Sequence, residues 1–390
     1  MERQPKILLV YANTGGGHLS AARAIEAALH RRYPGRFAVS LFDVPVASDS
    51  KRIHMLYDSY NQMLKADPRY ARPGMRLLNL LNGEKYAIPC FPRAFQNIRR
   101  CLRQEQPDLV VSVHPIVNHA LLKALKDSGW FGRVPYLIVC TDLTDNFLRG
   151  WANSEADQLL VFSAQAQEQM QAFGVPSEKV QQVTGFPVHP AFFEETPSRA
   201  ACRELLGLDP TGYAVLVSMG GMAVPRKTRA VVKSLSRSGL PIQLLVVCGM
   251  NRALQQSMER LARRAAMRIH VYGYTKLIPQ MMMAVDLLIA KPGPGTIMEA
   301  VISELPMILD GVSEPMPQEC GNLDFALAHG IGRKLTDYRD LPAMVRDLQA
   351  DTAATRQLQA NMHALKNPQA IYEIADILVG HLQAPHVLVG

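Results

Sequence analysis

The sequence predicts an α/β protein of two doubly wound, Rossmann-like domains, and three observations predict it. Short apolar strands alternate with helical stretches over most of the 390 residues, the pattern of parallel sheets wrapped by helices. A proline-rich break, GFPVHPAFFEETPS, divides the chain near its middle, with Pro187, Pro190 and Pro197 interrupting both helix and strand. Glycine turns follow strands and open helices in both halves. The predicted domains are 1–188 and 189–365, with a C-terminal helix in 366–390.

Taken in order, Lys6 to Ala12 is a run of β formers, followed by Gly15 to Gly17 and a segment whose Ala21, Ile25, Ala28 and Leu29 keep helical spacing. Further strands are expected near 37–42, 108–113, 134–140, 157–162 and 180–184. The second half predicts strands near 213–219, 242–248, 268–272, 285–290 and 306–310, each leading into a helical segment. The tail after Pro368, QAIYEIADILVGHL, reads as one more helix. In open α/β sheets ligands bind beyond the carboxyl ends of the strands. Four loops there carry candidate chemistry: Thr14 to His18, CTDLTDN, SMGGM and AKPGPGT.

Composition narrows the function classes. The longest apolar runs, such as MMMAVDLLIA, fall short of the roughly 18 residues that cross a bilayer, and the start of the chain predicts no signal sequence. Six cysteines are scattered without a C-x-x-C pair, so neither a disulfide frame nor a zinc site is expected. Of the formal charge of +8, residues 51–103 hold eleven Lys or Arg against three acidic residues, and the rest of the chain is balanced in sum. In that segment Leu, Met and Tyr interleave with the bases, a composition that suits either an anionic membrane surface or a solvated face over an ordinary core helix. Nucleic acid would attract the same charge.

The glycine loops suggest anion sites. Gly16 and Gly17 precede a helix whose N–H groups and dipole favour negative charge, with His18 at its start. The spacing is neither G-x-G-x-x-G nor a Walker loop. In KPGPGTIMEA, Gly293 and Gly295 leave backbone uncovered and Lys291 adds a mobile charge, which together suit a diphosphate. Thr296 and Glu299 are also spaced as a capping box, in which Glu299 would only satisfy its own helix end. Gly220 and Gly221 of SMGGM form a further glycine turn in the same half.

The segments NTGGGHLSAARAI, CTD, TGFPVHP, KPGPGTIMEA and QECGN, in this order, resemble the monogalactosyldiacylglycerol synthases and processive diacylglycerol glucosyltransferases of glycosyltransferase family 28. The resemblance implies the GT-B arrangement of two such domains facing an interdomain cleft. It also implies transfer of a hexose from UDP-galactose or UDP-glucose to a lipid acceptor such as diacylglycerol, with inversion and without metal or other cofactor. By position, Glu299 would take the ribose hydroxyls. Lys291, Gly293, Pro294, Gly295 and Thr296 would hold the diphosphate, joined by Gly16, Gly17, Gly220 and Gly221. Gln318, Glu319 and Asn322 would face the sugar or phosphates, and Gly273 and Tyr274 would border the uracil. His18 and Asp142 are the two candidates for the base. The expected setting is peripheral, on the cytoplasmic face of the cell membrane, with an anionic lipid surface and no nucleic acid as partner.

The match departs at the acceptor side. Family members follow the T-D pair with a histidine and a tryptophan, whereas TDLTDNFLRGW has Phe147 near the first position and Trp151 displaced by one. Asn13 and the stretch GGMAVPRKT also depart. The same double fold serves nucleotide-sugar epimerases and hydrolases, and a non-catalytic relative that keeps the donor pocket is a third reading.

Overall fold

A computed structural model describes residues 3–12, 16–44, 92–144, 148–194, 197–221, 224–312 and 317–383, with residues 94 and 317–320 in backbone only. The expectations for Asn13, Thr14, Gly15, Phe147 and the basic stretch 51–91 lie outside these residues. Among the described residues two units separate, one running to His189 and resuming at Gln369, the other Pro190–Pro368.

The first unit holds β1 (Lys6–Tyr11), α1 (Gly17–Arg32), β2 (Ala38–Asp43), α2 (Pro92–Glu105), β3 (Leu109–Ser112), α3 (Asn118–Asp127), β4 (Tyr136–Val139), β5 (Gln158–Val161), α4 (Ala164–Ala172) and β6 (Val180–Gln182). Its strands are parallel in the order β2-β1-β3-β4-β5-β6. Near-continuous apolar strands such as LVVS and YLIV are buried along their whole length, as expected for strands covered on both faces. The order reverses between β1 and β3, so the loops after those two strands flank a topological switch point.

The second unit holds α5 (Arg199–Leu205), β7 (Tyr213–Ser218), α6 (Pro225–Ser236), β8 (Ile242–Val247), α7 (Arg252–Ala262), β9 (Ile269–Tyr272), α8 (Ile278–Ala284), β10 (Leu287–Ala290), α9 (Pro294–Ile302), β11 (Met307–Asp310), α10 (Pro317–Ala328), β12 (Gly332–Leu335), α11 (Leu341–Ala350) and α12 (Thr352–Leu365). The sheet order is β12-β11-β10-β7-β8-β9, again parallel, with its switch point between β7 and β10. β12 is absent from the predicted strands. It is a four-residue edge strand, GRKL, with only Gly332 and Leu335 buried, so its sequence carries no apolar run.

The last helix, α13 (Ala370–Gln383), packs onto the first unit. Ile371, Ile374, Ala375 and Leu378 are buried, Asp376 accepts from Arg32 and Tyr33, and Glu373 accepts from Thr184 N–H at 2.9 Å. Of the basic segment 51–103, the described part is α2. Its apolar face, Ile98 and Leu102, enters the core of the first unit, leaving Arg93, Arg100 and Arg103 exposed. This part is therefore the solvated face of a core helix.

Two charge pairs, each with one buried member, fix the second unit. Arg203 is 4% exposed and spends its guanidinium on the carbonyls of Ala284, Asp209, Pro210 and Gly212 and on Asp286 at 2.8 Å. Asp286, the charge inside the apolar run MMMAVDLLIA, thus serves as an anchor. At the other end of the sheet, Lys227 Nζ lies 2.7 Å from the buried Asp310, which also accepts from Tyr338.

Candidate active site

His18 is the second residue of α1, and the loops after β3 and β4 close over it. Gly16, with φ of 96°, makes the left-handed turn into the helix, and among the described residues no side chain caps the helix end. Gly17 is exposed, with open space where a Cβ would sit, so the first N–H groups face an uncovered approach. His18 Nδ1 lies 2.8 Å from the carbonyl oxygen of Val113 and 2.9 Å from Thr141 Oγ1. A carbonyl oxygen only accepts, so Nδ1 carries the proton and donates it, and the basic lone pair falls on Nε2.

The His114 ring lies 4.2 Å from that of His18, tilted by 58°. Its Nδ1 accepts from Ile116 N–H and caps the single 3-10 turn Pro115–Val117. Burial, and then the neighbouring His18, hold its pKa well below the usual histidine range, so it stays neutral. Asp142, at the end of CTD, is nearly buried and accepts from the fully buried Trp151 indole N–H at 2.7 Å. Trp151 ends a 3-10 turn, Arg149–Trp151, that Asn118 pins by donating to the Gly150 carbonyl at 2.8 Å. The two candidate bases therefore follow β1 and β4, which flank β3 in the sheet, and Asp142 has one oxygen committed to the indole.

In the second unit the donor candidates gather at the β7–β10 switch point. α9 starts at Pro294, with Gly293 as its N-cap and no side-chain cap. Thr296 thus sits inside the first turn, and the capping-box reading of Thr296 and Glu299 is excluded because the helix begins earlier than that box requires. Gly295, Thr296 and the half-buried Glu299 share one helix face. The Lys291 side chain covers the turn after β7: a Cβ on Gly220, whose φ is 84°, would lie 2.8 Å from Lys291 Cε. Lys291 thereby joins the two glycine turns.

Asn322 is 1% exposed and donates from Nδ2 to the Pro292 carbonyl at 3.2 Å. It clamps the loop that carries Lys291 and Gly293. Gly273 is packed against Gln255 of α7, and Tyr274 beside it is 57% exposed. Gln318 and Glu319 fall in the first turn of α10 by backbone alone.

Two family models match this chain. The model for monogalactosyldiacylglycerol synthase matches residues 18–188, starting at His18 and ending beyond β6. The model for the glycosyltransferase family 28 C-terminal domain matches residues 215–316, which carry both glycine turns of the second unit. The chain is thus similar to the monogalactosyldiacylglycerol synthases in its first unit and to glycosyltransferase family 28 in its second.

Relatives align over nearly all of this chain. Monogalactosyldiacylglycerol synthase 1 of Arabidopsis thaliana is 28% identical over 96% of this chain and 70% of its own, and the Spinacia oleracea enzyme is 28% identical over 96% and 72%. The fold resembles that of Acinetobacter baumannii MurG, with a TM-score of 0.58 at 13% identity over 96% of this chain and 99% of that one. Anabaena HepE bound to UDP-glucose gives 0.59 at 15% over 96% and 99%. A UDP-GlcNAc 2-epimerase from Neisseria meningitidis gives 0.61 at 12% over 97% and 99%. Transferases and an epimerase are thus similarly close in backbone, so the likeness fixes the GT-B type of fold alone.

Trp151 reaches Asp142 from the end of the 3-10 turn Arg149–Trp151. His114, Thr141 and Gly249 were not among the sequence-derived site residues. His114 stands two residues beyond the end of β3 in SVHP, the same strand-end signal that marked the other loops.

Proposed function

We propose that this chain transfers galactose or glucose from a UDP-sugar to the hydroxyl of diacylglycerol, with inversion, while docked peripherally on an anionic membrane on the cytoplasmic side. The observation that carries the reading is the tautomer lock on His18. With Nδ1–H donated to Val113, Nε2 accepts the proton of the acceptor hydroxyl as its oxygen bonds to the anomeric carbon. The bond from that carbon to the diphosphate breaks, and UDP leaves with the electron pair. The uncapped start of α9 and Lys291 stabilise the charge that develops on UDP, and Gly16 and Gly17 offer a second uncapped helix start for phosphate. Glu299 accepts from the ribose hydroxyls, and Asp142, fixed by Trp151, orients the acceptor side. Among the described residues no helix is long and apolar enough to cross a membrane, which is compatible with peripheral docking.

The test is UDP release and product analysis with purified protein, diacylglycerol in anionic vesicles and a panel of UDP-sugars. Glycolipid and UDP in equal amounts are expected. Free sugar, an epimerised donor, or no UDP from any donor overturns the reading.

Two further outcomes follow from the geometry. Glu299→Ala is expected to weaken UDP binding by about 10–100-fold, because a charge-assisted hydrogen bond is lost, with a smaller change in kcat. Calorimetry with UDP reads the first effect and saturating kinetics the second. His114→Asn keeps an oxygen that can cap Ile116 N–H but removes the ring against His18. Its kcat is expected to fall by about tenfold or more through misplacement of Nε2, with the donor KM unchanged and the pH–rate profile displaced. A wild-type profile for His114→Asn would reduce His114 to a turn cap.

A further inference from the structure

The balance in sum outside residues 51–103 hides a second concentration of charge. Between Arg226 and Arg268 the chain carries ten Lys or Arg and one acidic residue, Glu259, an excess larger than the +8 of the whole protein. Lys227 turns inward to Asp310, and the other nine are exposed. On α6, Arg226, Arg229 and Lys233 recur at helical spacing, and Arg237 continues the line just past the helix end. On α7, Arg252 and Arg260 do the same, with Arg263 and Arg264 directly after.

The two stripes form one face. Arg229 Nε donates to Ser257 Oγ at 3.3 Å, and the inner sides of both helices, Val231, Val232 and Leu235 with Leu254 and Met258, pack into one core cluster. Elsewhere exposed charges pair, as in Lys123–Asp127, Arg339–Asp337 and Lys366–Glu304. Among the described residues, the ion pair that this segment makes is the inward one of Lys227. Like charges at helical spacing repel and destabilise the helix, so a stripe of one sign is unfavourable unless an anion covers it.

We propose that the exposed face of α6 and α7 docks on anionic phospholipid headgroups, an inference that rests on the lipid-acceptor reading above. Arginine forks match phosphate oxygens, and a broad one-sign face suits a surface of many headgroups. Single-stranded nucleic acid is disfavoured because no aromatic side chain occurs between Pro225 and Arg268 to stack a base. Met250, 53% exposed just before α7, adds an apolar contact at the same edge.

The test neutralises six charges away from the glycine turns: Arg229→Gln, Lys233→Gln, Arg237→Gln, Arg260→Gln, Arg263→Gln and Arg264→Gln together. Sedimentation with phosphatidylcholine vesicles, with and without phosphatidylglycerol, measures partitioning. UDP release on detergent-dispersed diacylglycerol measures transfer separately. Partitioning onto the anionic vesicles is expected to fall by more than about a hundredfold, and the wild type to lose binding as salt rises. Transfer in detergent is expected to stay at the wild-type rate. A companion with Lys at the five arginine positions and Lys233 intact keeps charge and is expected to bind as the wild type does. Unchanged partitioning of the neutralised protein, equal binding to neutral vesicles, loss of RNA binding in place of vesicle binding, or a rise in donor KM alone would each overturn the proposal. Absence of UDP release in detergent with vesicle binding intact would sink the transferase reading and leave the docking face standing.

Discussion

His18→Ala is expected to lower kcat by about 10²–10⁴-fold, the usual contribution of a positioned general base, with little change in UDP affinity. Loss of the imidazole removes the Nε2 acceptor, but it leaves the α1 N-terminus and the whole second unit as they are. Because His18 also ties α1 to the loop after β3 through Val113, a second variant separates chemistry from anchoring. The amide of His18→Asn can donate to the Val113 carbonyl but has no basic nitrogen. It is expected to unfold like the wild type and turn over as poorly as His18→Ala. Stopped assays of glycolipid formation at saturating donor, paired with UDP calorimetry, read the two quantities. If either variant keeps kcat and loses UDP binding, His18 is a donor contact and Asp142 becomes the base.

Gly249→Ala is expected to destabilise the second unit by about 2–5 kcal/mol, combining left-handed strain with an overlap that has nowhere to go. Gly249 follows β8 with φ of 54°, and a Cβ there would lie 2.1 Å from the carbonyl oxygen of Gly221 and 2.9 Å from its carbon. These are backbone atoms of the turn after β7, and Met250 N–H donates to the same carbonyl at 3.3 Å. The clash must therefore displace the Gly220–Gly221 turn that Lys291 covers, so UDP affinity should fall with stability. Gly239→Ala is the matched control. Its φ is 69° and nothing lies within 4 Å of the added Cβ, so it carries only the conformational strain. Urea unfolding and UDP calorimetry of both variants test the difference. Equal losses for the two would show that the packing of the two turns is not what holds the donor loop.

The residues that sequence reading reached share one property: their signal is local. β1 is visible as KILLVY followed by glycines, and β10 as LLIA followed by KPGPG, because a fully buried parallel strand must be apolar along its length and the turn after it must leave backbone open. β12 escaped because an edge strand of Gly, Arg, Lys and Leu buries only two of its four residues. The capping-box alternative for Thr296 and Glu299 fails for a related reason. Its spacing is correct, but helix start is decided by Pro294 and Gly293 just upstream, and α9 begins there.

By itself the sequence determined the double α/β fold and the loops where His18, Asp142, Lys291 and Glu299 stand, since each follows from periodicity or from short motifs in order. Only the tertiary structure decided which nitrogen of His18 is basic, that Trp151 holds Asp142, that Gly249 packs against the Gly220–Gly221 turn, and that two basic stripes make one face. These depend on contacts between segments far apart in the chain, such as His18 with Val113 or Arg229 with Ser257. Strand order and helix packing set such distances, and no local pattern of residue types encodes them.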